Sequence, residues 1–183
     1  VRHNIEVDDE RLVERAKSGH IPSFEELVVR YSRMVFAAAY SVLEDTEAAR
    51  DASQEAFLKA YIGLRRFNGR SRFSTWLYSI AKNCALDIAR RRSRRPTESL
   101  EDVPEPSALP DRRGLILEEA MRSLDERERE ALNLHYRGGL SAGEIGDLLG
   151  LTEGNVRVIM FRARKKLRET LRGKEDELLG SQG

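Results

Sequence analysis

Apolar positions recur at three- and four-residue intervals along nearly the whole chain, and no stretch alternates at every second residue as a half-buried strand would. Phe24, Leu27, Val28, Tyr31, Val35, Ala38, Ala39 and Val42 fall on one face of a long helix that starts after Pro22. A second helix is predicted over 46–64, with a small-residue face of Ala49, Ala52, Ala56 and Ala60 that lets a neighbouring helix approach closely. The Asn68-Gly69 turn separates it from a third helix over 74–92, which turns Leu77, Ile80, Cys84 and Ile88 inward with Phe73 just ahead. A shorter helix over 10–18 comes before all of these and stops at Gly19. The pattern predicts an all-helical first domain over residues 1–93.

The periodicity then lapses. Residues 94–111 carry Pro96, Pro104, Pro106 and Pro110 among acids, with few large apolar side chains, the composition of a flexible linker. Extended at about 3.1 Å per residue, such a segment spans on the order of 50 Å. A second helical domain is expected over 112–173, opening on an apolar face of Leu117, Ala120, Met121 and Leu124. Asp125 with Glu128, and Ser141 with Glu144, have the spacing of capping boxes at two helix starts. Gly138-Gly139 ends the first of these helices and Gly150 the second; Thr152 then caps a last helix over 153–171. Residues 174–183 form a tail.

Length and composition suit two small soluble domains: 183 residues, 40% hydrophobic and 34% charged. The longest compact apolar run, Met34 to Tyr40, is far too short to span a membrane, so no membrane insertion is expected. The N-terminus offers only Ile5 and Val7 ahead of an acidic triplet, which argues against export. Cys84 is the only cysteine, consistent with a reducing, cytoplasmic setting. His3, His20 and His135 have no metal-ligand spacing, so neither metal, cofactor nor enzymatic chemistry is expected.

The net charge of +1 conceals a block structure. Residues 65–95 are strongly basic with Asp87 as the one acid, residues 96–111 are acidic with no base, and residues 157–172 are basic again. Two basic blocks flanking an acidic spacer are the electrostatic footprint of a nucleic-acid binder.

Short helix, glycine-containing turn and longer basic helix make a helix-turn-helix. On the last helix Val156, Ile159, Met160, Ala163 and Leu167 share the core side, while Arg157, Val158, Phe161, Arg162, Lys165 and Arg168 spread over the side a major groove would meet. The third helix carries a different stripe. At about 100° per residue Asn83, Asp87, Arg90 and Arg94 return to within roughly 40° of Trp76. Aromatic faces stack on unpaired bases, and amides, acids and guanidinium groups read base edges. The same spacing is equally compatible with Trp76 at the core edge and Asn83 and Asp87 merely solvated. Arg70 and Arg72 stand in the loop ahead of the helix.

These segments resemble a known family, the extracytoplasmic-function (ECF, group IV) sigma factors of bacterial RNA polymerase. DASQEAFLKAY (51–61) is similar to the family's polymerase-binding helix, and RFSTWLYSIAKNCALDIAR (72–90) to its promoter-melting and minus-ten-reading helix. LDEREREALNLHYRGGLSAGEIGDLLGLTEGNVRVIMFRARKKL (124–167) resembles its minus-thirty-five-binding domain. The resemblance implies an all-α pair of domains, sigma region 2 and sigma region 4, and a role in directing core polymerase to promoters. It assigns Asp51, Gln54, Glu55 and Leu58 to the coiled coil of polymerase's largest subunit. It assigns Arg70, Arg72, Trp76, Asn83, Asp87 and Arg90 to minus-ten DNA, read single-stranded. Arg157, Val158, Phe161, Arg162 and Lys165 fall to duplex minus-thirty-five DNA. It further implies contact with the polymerase flap, an anti-sigma factor as antagonist, and a linker lying in polymerase's basic channel.

The chain departs from the family pattern at Val158 and Ile159, where Ser or a charged residue is common, and at Asp125, where Pro is common. The first departure bears on base preference, whereas the second exchanges one helix-start residue for another. A sigma-like mimic that sequesters an anti-sigma factor without touching DNA is the rival reading. Such a mimic has no need of the basic outer face on the last helix.

Overall fold

The protein is described by a computed structural model covering residues 2–94, 116 and 120–172, with side chains from Asp9 onward. The linker assigned to 94–111, apart from Arg94, and the tail at 174–183 lie outside the described residues, as does Leu117. Every described element is helical.

Helix α1 (Arg2–Lys17) leads into α2 (Ile21–Leu43), with Pro22 in the first turn, where a missing N–H costs no helical hydrogen bond. Asp45 accepts a hydrogen bond from the Ala48 N–H and starts α3 (Thr46–Gly63), which tightens into a 3₁₀ turn at Leu64–Arg66. Helix α4 (Phe73–Arg94) completes the first domain. Ala49, Ala52, Ala56 and Ala60 of α3 are fully buried and let α2 and α4 close over it, around Leu27, Val35, Leu64 and Leu77. Truncating one such leucine to alanine costs about 2–5 kcal/mol.

Two boundaries differ from the sequence reading. Helix α1 begins at Arg2 rather than near residue 10, because helix extends cheaply from an existing turn and needs no apolar face to do so. Helix α4 runs to Arg94, one residue into the range assigned to the linker.

In the second domain, a helical turn ending at residues 120–122 precedes α5 (Glu126–Tyr136), α6 (Ala142–Leu149) and α7 (Glu153–Leu171). Both predicted capping boxes are formed, by Asp125 with Glu128 and by Ser141 with Glu144. Gly150 ends α6 at φ 68°, and Thr152 accepts from the Asn155 N–H to start α7. Gly146 permits the tight turn between them: a Cβ there would stand 2.5 Å from the Leu151 carbonyl oxygen. The α7 face of Val156, Met160 and Ala163 is buried, as its periodicity predicts.

The two domains are packed together. Helix α5 lies against α2, and α6 approaches α4. Arg129 pairs with Glu44 at 2.6 Å, Lys82 with Glu130 at 2.8 Å and Arg72 with Asp147 at 2.5 Å, all across the boundary.

Candidate nucleic-acid and polymerase interface

The α4 stripe faces outward over most of its length. Asn83, Asp87 and Arg90 are exposed, with Arg90 Nη1 3.3 Å from Asp87 Oδ1, a loose pair that leaves both groups available. Trp76 is different. Its ring is half-buried in an aromatic cluster, 4.9 Å from Phe67 and 5.8 Å from Phe73, and its edge meets Gly63. The tryptophan thus sits at the core edge while the amide and acid stand in solvent. In the preceding loop Arg70 is exposed, its N–H held by the Asn68 side chain at 3.1 Å, and Arg72 is engaged with Asp147 of α6.

On α7, Arg157, Val158, Phe161, Arg162 and Lys165 are all exposed, on the side opposite the buried Val156 and Met160. Phe161 is 65% exposed, an aromatic ring set among cations. Arg157 pairs with Glu153 at 2.7 Å and Lys165 loosely with Glu169 at 3.8 Å, each within the helix's own surface. Lys166 instead turns back to Glu128 at 2.7 Å, tying α7 to the capping box of α5; this hydrogen bond raises the lysine's pKa.

On α3, Asp51, Gln54 and Leu58 are exposed and Glu55 is half-buried. Glu55 is neutralised by Lys59 at 2.8 Å and faces Arg91 at 3.7 Å, so the stripe is less anionic than its sequence suggests. It also runs further than the sequence reading took it. Tyr61 and Ile62 continue Leu58 at three- and four-residue spacing and are 43% and 71% exposed. The signal was a second apolar stripe on a helix whose alanine face already supplies the core.

Cys84 is buried beneath this face, and burial pushes its thiol pKa up. Among the described residues no cluster of His, Cys, Asp and Glu could hold a metal ion, and no helix is long and apolar enough to cross a membrane.

A helical domain with a polar and basic stripe, joined to a helix-turn-helix whose outer face is cationic, defines a two-site DNA-engaging protein. Residues 27–95 match the model of sigma-70 region 2, and residues 114–167 match that of sigma-70 region 4. The chain is 34% identical to the RNA polymerase sigma-H factor of Pseudomonas aeruginosa, over 89% of this chain and 93% of that protein. It is 36% identical to the ECF RNA polymerase sigma-E factor of Escherichia coli K12, over 88% of this chain and 93% of that one. The solved structure of CnrH in complex with the cytosolic domain of CnrY matches with a TM-score of 0.66 at 25% identity, covering 92% of this chain and 99% of CnrH. The chain belongs to the ECF family of RNA polymerase sigma factors and is an alternative sigma factor that directs transcription initiation.

Proposed function

We propose that this sigma factor divides promoter recognition between two physical states of DNA, with a third surface for polymerase. The observation that carries this is the contrast between its two outward stripes. That of α7 is cationic, with one aromatic and no acid among Arg157, Val158, Phe161, Arg162 and Lys165, which suits phosphates and groove edges of intact duplex. That of α4 presents the amide of Asn83, the carboxylate of Asp87 and the guanidinium of Arg90, groups suited to base edges in a melted minus-ten element. Arg70 and Arg72 supply backbone contacts beside it. Trp76 supports the surface from the core edge and borders the site of strand separation.

The polymerase surface is the α3 stripe of Asp51, Gln54, Glu55 and Leu58, extended by Tyr61 and Ile62. An exposed apolar end beside a polar one suits the coiled coil of the largest subunit, with the region 4 domain taking the flap. Domain limits of 1–93 and 112–173 follow, and the role is non-catalytic and exercised in the cytoplasm. CnrH is bound by the cytosolic domain of CnrY, which supports an anti-sigma factor as the regulatory partner of this chain. The exposed cationic face of α7 counts against a mimic that never meets DNA. Run-off transcription with core polymerase, with and without this protein, tests the reading: promoter-dependent transcripts should appear only with it.

A further inference from the structure

The two departures of α7 from its family pattern lie on different sides of the helix. Ile159 is half-buried against the core, so packing absorbs that change. Val158 is 48% exposed and stands on the outward side. At about 100° per residue, Lys165 lies roughly 20° from it, Arg162 roughly 40° and Phe161 roughly 60°. Val158 is therefore at the centre of the cationic stripe. It also falls in the second turn of α7, close to the Thr152 cap. In a helix-turn-helix the N-terminal residues of the recognition helix are the ones that reach base edges.

A valine at that place changes what the helix can read. It has no donor or acceptor, so it cannot pair with the polar groups of a purine edge, and pressing it on them leaves them without water or partner. The major groove presents one apolar group, the C5-methyl of thymine. Phe161, 65% exposed and three residues on, widens the apolar surface to two adjoining side chains. The flanking cations hold this pair against a duplex without selecting sequence. Arg157 pairs with Glu153 at 2.7 Å and Lys165 loosely with Glu169 at 3.8 Å, exposed contacts that a phosphate can replace.

Resting on the reading of α7 as the minus-thirty-five surface, we propose that Val158 is the specificity-determining residue for a thymine in that element. The thymine is recognised by its methyl group, with Phe161 beside it. Recognition at this base pair then depends on an apolar contact that no hydrogen bond replaces.

The test uses the full chain bound to core polymerase and duplexes randomised over the upstream promoter element. In the enriched sequence each thymine is replaced singly by uracil, which deletes the methyl and keeps every hydrogen-bonding group. Wild type should lose about threefold to fivefold in affinity at one or two thymines, the worth of a single buried methyl. Val158→Ser, at an exposed position and with helical circular dichroism unchanged, should bind the thymine duplex more weakly and lose nothing further with uracil. Val158→Thr, which keeps a methyl, should retain uracil sensitivity. Equal uracil responses in wild type and Val158→Ser, or an enriched element without thymine, overturn the methyl readout and leave duplex recognition by α7 standing. Failure to enrich any upstream sequence would instead overturn the minus-thirty-five reading, and the proposal with it.

Discussion

The indole of Trp76 stands 4.9 Å, centroid to centroid, from the ring of Phe67, and the two planes are inclined at 36°. A residue held this way contributes to folding as well as to any contact with DNA, whereas Asn83, exposed one helical face away from the core, contributes only to the latter. Trp76→Ala should therefore lower stability by about 2–4 kcal/mol, somewhat less than for a fully buried aromatic, and Asn83→Ala by under about 0.5 kcal/mol. Chemical denaturation checks this. In permanganate footprints with polymerase both variants should open a duplex promoter poorly, and a pre-melted bubble should rescue Trp76→Ala better than Asn83→Ala. Wild-type opening by both would return the α4 stripe to a structural role.

Asp51 is exposed on α3, while Glu55 already has Lys59 and Arg91 beside it. Asp51→Arg together with Glu55→Arg should abolish co-purification with core polymerase and leave helix content intact. Leu58→Asp with Ile62→Asp should do the same, since both side chains are solvent-facing in the free protein. Normal retention on immobilised core enzyme by either pair would remove α3 from the polymerase surface.

Arg162 is exposed on α7. Arg162→Ala should weaken binding to a duplex minus-thirty-five element by about 1–3 kcal/mol, as a bidentate base contact would, and relax preference at one base position. Fluorescence anisotropy with single-base variants of the element separates this from loss of a phosphate contact, which would weaken all sequences alike.

Asp45 caps α3, and the Ala48 N–H, with a smaller contribution from Arg92, holds its pKa below the ordinary aspartate value of 3.8. A lowered folded-state pKa means that its stabilisation is full above the unfolded-state value and is lost as pH falls through the folded one. Asp45→Ala should cost about 1 kcal/mol near neutrality, and the difference from wild type should vanish on acidification below pH 3.8. Urea titrations across that range provide the check.

Local chemistry made most of the architecture readable in advance. Helix faces, both capping boxes and the left-handed Gly150 depend on residues within a few positions of one another, so periodicity and spacing specify them. The helix-turn-helix and its outward cations follow from the same short-range rules. The requirement for glycine at position 146 was not readable that way, because it depends on the return of the Leu151 carbonyl to within van der Waals range. The Trp76 stripe stood open between two readings because helical spacing places a side chain on a face without saying what covers that face. Phe67 and Phe73, brought up by the turn before α4, cover the ring and leave Asn83 and Asp87 bare.

The sequence by itself determined which helices form, where they stop and which stripe of each is charged, since those properties are set within a turn or two of chain. Only the tertiary structure decided how the two domains meet. The polar face of α5 reads in sequence as a solvated surface, and nothing within it names Tyr78, Lys82 or Glu44 as its partners. Long-range ion pairs carry no periodic signature. They arise because folding brings together charges that the chain holds far apart, Lys82 and Glu130 among them.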